Sequence, residues 1–328
     1  MVTKRAAFAD WMMTDEVRAF IDEWLSDLPY VIAHTSGSTG EPKEIRLLKE
    51  DMQASAEATN RYFGINSSSH LFLPLSASYI AGKMMIVRAI TAGCRLTAVH
   101  PTNHLLDNDY GDIDLMAVVP SQCESLMANE YAHKHLRNMI VGGAPISAPL
   151  EKELLKMPWK TFATYGMTET CSHVALRPVG SDVYSALPEI TFGVDYRGCL
   201  TIKSARFSFN MLATNDIVEL LSPEEFRWCG RYDNIINSGG IKLYPEQLEA
   251  ILNRHFTFPL MVRGIEHPLW GTAPQIVAAP GRSEMPENLI QKIANVCATE
   301  FPMAARHSEI LLVDSLPVTS NGKIKRNI

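Results

Sequence analysis

An α/β fold is predicted, with a large domain built on a mostly parallel sheet flanked by helices, a small antiparallel section, and then a small α+β C-terminal domain. Three observations predict it. Short apolar, β-prone runs alternate with helical runs from residue 15 to residue 164, the pattern of a buried parallel sheet with helices on its faces. From about 189 to 229 short strands separated by Gly and Pro take over, which reads as antiparallel. After Gly230 the order becomes helix, strand, strand, helix, strand. The division is placed as 1–230 and 231–328.

Val17, Phe20, Ile21, Trp24 and Leu25 recur at helical spacing and make one apolar face. Thr14 is the expected N-cap, with Asp15 and Glu16 at the end of the helix dipole that favours them. Tyr30 to His34 reads as a strand, 51–62 as a helix, 71–73 as a strand and 82–90 as a helix. Strands follow at 95–99 and 115–119, a helix at 121–130, a strand at 139–141, a helix at 148–156 and a strand at 161–164. In the C-terminal part the expected elements are a helix at 245–254, strands at 260–262 and 275–278, a helix at 287–300 and a strand at 309–313.

Composition narrows the function classes. The chain has 328 residues, 46% hydrophobic and 20% charged, with a net charge of −6, which is globular and argues against disorder. No Lys/Arg run exceeds two residues, so a non-specific nucleic-acid surface is not expected. The six cysteines are widely spaced and form no Cys-x-x-Cys pair; free thiols in a reducing compartment are expected, with a zinc site as the lesser alternative. No apolar run approaches the ~20 residues of a membrane span, and acidic residues interrupt the N-terminus before any signal peptide could form. A cytoplasmic protein is the expectation, and a homodimer is left open.

The densest cluster of special residues is Thr35-Ser36-Gly37-Ser38-Thr39-Gly40-Glu41-Pro42-Lys43. Glycines let successive N–H groups point into one concavity, hydroxyls add donors, and Lys43 adds a compact charge. Such a loop suits a triphosphate, or serves as a flexible linker. It is not a Walker A loop, because Pro42 sits between glycine and lysine and disfavours helix there. Four further segments stand out: Val141-Gly142-Gly143-Ala144-Pro145, Tyr165-Gly166-Met167-Thr168-Glu169-Thr170, Thr214-Asn215-Asp216, and Gly230-Arg231-Tyr232-Asp233 through Gly239-Gly240 to Glu249. A fifth is Leu316-Pro317 through Gly322-Lys323 to Arg326. Taken singly, most would be turns, caps or solvated surface.

Together and in this order, these segments resemble the motifs of the acyl-adenylate-forming superfamily. The resemblance implies ATP and CoA as co-substrates, Mg²⁺ as cofactor and a small carboxylic acid as partner. Thr35 to Gly40 and Lys43 would cradle the phosphates. Gly142, Gly143 and Ala144 would line the nucleotide and acyl pocket. Tyr165 and Gly166 would lie against adenine, Thr168 would bond a phosphoryl or acyl oxygen, and Glu169 would hold Mg²⁺. Asp216 would accept the ribose hydroxyls, with Asn215 standing where the family has glycine, and Arg231 would reach the ribose. Asp233 would be the hinge, Gly239 and Gly240 would line the CoA tunnel, and Lys323 would drive adenylation.

The family's full-length members carry a longer section ahead of the phosphate loop; here only 34 residues precede it. The capped leading helix is read as the start of a complete short protein. Leu73-Pro74-Leu75 through Tyr79 to Arg88 resembles the bacterial o-succinylbenzoate–CoA ligases of menaquinone synthesis, with Tyr79 standing where a histidine is frequent. Arg88 would then grip a substrate carboxylate with its fork geometry; the alternative places it on a helix surface. Another aryl or short-chain acyl-CoA synthetase, a stand-alone adenylation protein and an inactive nucleotide-binding regulator are the competing readings.

Overall fold

The computed structural model describes residues 8, 10–34, 44–281, 288–305, 307–317 and 325–326. Helix α1 (Asp15–Trp24) starts where Thr14 Oγ1 accepts the Val17 N–H at 3.4 Å, and it buries Val17, Phe20 and Ile21. Strands β1 (Tyr30–His34) and β2 (Glu44–Leu48) pair antiparallel, with His34 opposite Glu44. Helix α2 (Lys49–Phe63) then leads to β3 (His70–Leu73), α3 (Ile80–Ala92), β4 (Arg95–Ala98) and β5 (Leu115–Val118). After these come α4 (Pro120–Met127), α5 (Glu130–His135), β6 (Asn138–Val141), α6 (Ala148–Leu154) and β7 (Lys160–Gly166). The single helix expected at 121–130 is two, because the Asn129 side chain accepts the Ala132 N–H at 3.0 Å and starts a new helix.

Six antiparallel strands follow: β8 (His173–Pro178), β9 (Val183–Ala186), β10 (Ile190–Val194), β11 (Cys199–Ser204), β12 (Leu212–Ser222) and β13 (Glu225–Arg231). They continue the same sheet, whose order is β10-β11-β12-β13-β9-β8-β7-β6-β5-β3-β4. The strands from β4 to β7 are parallel to one another. The reversal comes at β8, earlier than the change of texture near 189. β8 hides it because it opens with a buried run, His173 to Leu176, like a parallel strand. The short connection 167–172 decides the direction, since a parallel crossover needs a dozen or more residues.

The second sheet begins at β14 (Ile236–Ser238), after a 3₁₀ turn at Tyr232–Asn234. It continues with β15 (Ile241–Leu243), α7 (Pro245–His255), β16 (Leu260–His267) and β17 (Gly271–Ala278). Helices α8 (Leu289–Glu300) and α9 (Pro302–Ala305) precede β18 (Glu309–Leu312), which pairs parallel with β17. Leu248, Leu252, Val262, Ile276 and Ile293 form a core separate from that under the large sheet. The expected α/β fold with a following α+β unit is therefore what the chain forms. No helix among the described residues is long and apolar enough to cross a membrane.

All six cysteines are free, and all but Cys229 are buried. Burial pushes the Cys123 and Cys171 thiols up to about 12, and those of Cys94 and Cys297 up to about 11.

The C-terminal end is tied into the small sheet. Lys325 N donates to Pro317 O at 2.9 Å. The Arg326 guanidinium grips both oxygens of Glu249, donates to Val262 O at 2.7 Å and lies 3.6 Å from Glu246 Oε1. Burial pushes the Glu249 carboxyl up, and the adjacent Arg326 offsets part of that. Glu246 also accepts from Asn234 Nδ2. Removing the arginine strands two carboxylates in a poorly hydrated site. Arg326→Ala is expected to lower stability by about 3–5 kcal/mol in urea unfolding of the full chain. Lys325→Ala, exposed at its side chain, is expected to change it by about 0.5 kcal/mol or less.

Candidate active site

Strands β6 and β7 are parallel neighbours, so Gly142–Ala144 and Tyr165–Thr170 emerge on the same edge of the sheet. In open α/β sheets this carboxyl edge is where ligands bind. Gly142 N donates to Val118 O at 3.1 Å, and Thr164 Oγ1 to Val141 O at 3.2 Å, which fixes the loop against the strand ends. Gly143 and Ala144 are exposed there.

Beyond β7 the chain turns sharply through a 3₁₀ turn at Thr168–Thr170. Thr170 is fully buried; its Oγ1 accepts from Met167 N at 3.0 Å and lies 2.7 Å from Ser172 O. Only glycine fits at 166, because a Cβ there would sit 2.1 Å from Ser172 O. Thr168 is half-buried and Glu169 exposed, so both are presented outward. Strand β2 packs against this turn. The segment between β1 and β2, with Thr35, Ser36, Gly37, Ser38, Thr39, Gly40 and Lys43, lies outside the described residues.

Asp216 joins the two halves of the large sheet. It stands opposite Arg231 in the β12–β13 ladder and is 7% exposed. Its carboxylate accepts from Tyr165 Oη at 2.7 Å and Trp228 Nε1 at 3.1 Å, with Arg231 Nη1 at 3.6 Å. Burial, then the charge of Asp216, pushes the Tyr165 phenol far above its ordinary range, so it stays a donor. Thr214 Oγ1 accepts the Asp216 N–H at 3.0 Å. Arg197 Nη1 holds Asn215 Oδ1 at 2.8 Å, and Asn215 Nδ2 reaches Asp233 Oδ2 at 3.3 Å. Arg231 Nη2 donates to the same Asp233 oxygen at 3.1 Å.

Arg88 is not on a helix surface. It is 1% exposed, and it makes no ion pair among the described residues. Its Nη2 donates to Ser172 Oγ at 2.9 Å, beside the 168–170 turn, and its Nε has no partner. Burial pulls its pKa down to about 9. Tyr79, just ahead of α3, is 60% exposed.

Gly239 and Gly240 form the two-residue turn between β14 and β15, at φ 57° and 85°. Positive φ at both positions is the demand of a type I′ hairpin, which explains the glycine pair. Lys323 lies outside the described residues; its flanks, Pro317 and Lys325, are joined by the backbone bond given above. No group of three or more His, Cys, Asp or Glu among the described residues is placed to hold a metal ion. A lone exposed Glu169 suits Mg²⁺ held mainly by phosphate oxygens and water, the usual habit of that cation. Trp228, Ser172 and His173 escape sequence reading, since nothing in their spacing marks them as partners of Asp216 or Arg88.

Comparison with known proteins gives a concordant result. The model of the AMP-binding enzyme family matches residues 6–193, and that of the AMP-binding enzyme C-terminal domain matches 258–323. The 2-succinylbenzoate–CoA ligase of Geobacillus sp. (strain WCH70) is 24% identical, over 90% of this chain and 67% of that protein. That of Listeria monocytogenes (EGD-e) is 25% identical, over 94% and 71%. Among solved structures, an acyl-CoA synthetase (AMP-forming)/AMP-acid ligase II-like protein from Dyadobacter fermentans DSM 18053 is 30% identical. It superposes with a TM-score of 0.62 over 95% of this chain and 91% of its own. The Bacillus subtilis o-succinylbenzoate CoA synthetase in complex with the acyl-adenylate intermediate OSB-AMP shares the fold at a TM-score of 0.75, with 20% identity. The match covers 90% of this chain and 67% of that one.

The tight turn at Gly166 generates a prediction. Gly166→Ala forces the Ser172 carbonyl aside and is expected to cost about 1–3 kcal/mol in urea unfolding. Gly281→Ala, where a Cβ meets nothing within 4 Å, is expected to stay within about 0.5 kcal/mol of the parent.

Proposed function

The chain belongs to the AMP-binding enzyme family, and from that membership we propose that it is an AMP-forming acid–thiol ligase that converts o-succinylbenzoate to its CoA thioester in menaquinone synthesis. One observation carries the reading to this chain's own residues. The carboxyl edge of the parallel strands brings Gly142–Ala144, Thr168 and Glu169 beside a Tyr165–Asp216–Arg231 cluster built for a nucleoside. The ligases of Geobacillus and Listeria supply the acid by their names, and buried Arg88 supplies a cation for its second carboxylate.

Two half-reactions follow. In the first, a substrate carboxylate oxygen attacks the α-phosphorus of ATP, and the bond to pyrophosphate breaks. Lys43, Lys323 and Thr168 stabilise the charge that builds on the phosphoryl oxygens. Glu169 would hold Mg²⁺, which neutralises polyphosphate charge when bound. Tyr165 lies against the adenine, and Asp216 and Arg231 orient the ribose. In the second, the CoA sulfur attacks the acyl carbon, the bond to the AMP oxygen breaks, and the thiol proton is lost. Between the two, the C-terminal unit, 231–328, turns about Asp233, withdraws Lys323 and brings the Gly239–Gly240 turn to the tunnel for CoA. The thiols and the absence of a spanning helix among the described residues accord with a cytoplasmic site of action.

With ATP, Mg²⁺ and CoA, the protein is expected to release pyrophosphate and AMP in step with o-succinylbenzoate consumption, above the rate with benzoate or short-chain acids. A panel in which another acid is turned over faster overturns the substrate assignment. No acid-dependent pyrophosphate release with any acid overturns the ligase reading. Lys323→Ala is expected to lose acyl-AMP formation about 10²-fold or more while keeping thioester formation from a supplied acyl-adenylate; equal loss in both half-reactions refutes its role.

A further inference from the structure

Arg88 is placed deep enough that its guanidinium cannot itself be the surface a ligand meets. It is 1% exposed on α3, it makes no ion pair among the described residues, and its Nε is unbonded. A buried cation without a counter-ion is costly, and a binding pocket is where such a group has a use. What stands between Arg88 and the outside is Ser172. This residue is half-buried and follows directly on the turn that presents Thr168 and Glu169. Its Oγ accepts from Arg88 Nη2 at 2.9 Å.

The surroundings fix the direction of every hydrogen in this group. Thr59 Oγ1 is fully buried and donates to Ser55 O at 3.1 Å. His173 Nε2 lies 3.2 Å from Thr59 Oγ1, and its Nδ1 lies 3.4 Å from Arg88 Nη2 and 3.3 Å from Ser172 Oγ. Burial and the charge of Arg88 keep the imidazole neutral. Its one proton therefore sits on Nε2 and goes to Thr59, because Nδ1 faces donors. Nδ1 is left as an acceptor for the Ser172 hydroxyl and for Arg88. The serine proton thus has a resting partner inside the protein, and it can turn outward to an anion while Arg88 still holds the oxygen. A hydroxyl that accepts from a cation is polarised into a stronger donor.

We propose that Ser172 is the residue that meets the substrate's second carboxylate, the one not adenylated, with Arg88 charging it from behind and His173 acting as a positioning residue. The inference rests on the ligase reading for a diacid. Thr168 and Ser172 belong to one turn, so a single small diacid can address both. Specificity then comes from a buried donor that is left unanswered when the acid lacks its second carboxylate.

The test uses the full chain with saturating ATP and CoA, and compares o-succinylbenzoate with the same keto acid lacking the ring carboxylate. Ser172→Ala is expected to raise KM for o-succinylbenzoate about tenfold or more. KM for ATP and for the shortened acid should stay within about twofold. Ser172→Thr restores the hydroxyl and is expected to recover most of the loss, and His173→Gln should raise the same KM alone. Arg88→Ala should at least equal Ser172→Ala. A Ser172→Ala enzyme with unchanged KM for o-succinylbenzoate, or with equal changes for both acids and ATP, overturns the inference while leaving the ligase reading in place. A parent enzyme that consumes only monocarboxylic acids overturns the diacid reading, and this inference falls with it.

Discussion

The Asp216 carboxylate is the contact on which the arrangement of the site depends. It takes hydrogen bonds from Tyr165 at the end of a parallel strand and from Trp228 in the antiparallel part, with Arg231 close by. Those donors come from strands that are not neighbours in the sheet order. A single buried anion therefore sets where the parallel edge ends relative to the β12–β13 ladder. Its two oxygens offer about four lone-pair sites, so accepting from Tyr165 and Trp228 leaves room for ribose hydroxyls. The phenol that it holds cannot ionise in any ordinary condition, which keeps the arrangement indifferent to pH.

The small sheet is connected to this centre by short polar steps. Asp233 receives both Arg231 and Asn215 at the point where the large sheet ends. One turn further, Asn234 donates to Glu246, and Glu246 faces Arg326 at the far end of the chain. The residues around the proposed hinge and those flanking Lys323 thus share one carboxylate. Such a link lets a change of backbone angle at 232–234 be felt at the C-terminal segment without an apolar interface having to repack.

The sequence made the class of fold legible because buried parallel strands and amphipathic helices leave strong periodic marks. Val17, Phe20 and Ile21 are buried as their spacing requires. Strand direction was not legible at β8, since His173 to Leu176 reads like a parallel strand and only the length of the preceding connection distinguishes the two. The motif residues of the site were legible by resemblance. Their supports were not: Trp228 and Thr59 lie 12 and 114 residues from the groups they contact, and no local pattern encodes such pairs. Arg88 shows the limit most clearly. On a helix of Ala, Met, Ile and Val, one arginine invites placement on the water side, yet the packing of α3 turns it inward.

The buried cysteines have a practical consequence. Thiolate is the reactive form of cysteine, and five of the six side chains here are shielded from solvent, with four of them pushed to about 11 or 12. A colorimetric disulfide reagent added to the native protein near neutral pH therefore meets Cys229 as its one half-exposed target. Consumption of free CoA can be followed with such a reagent against a small, constant protein background, and the reagent can be left in contact with the folded enzyme.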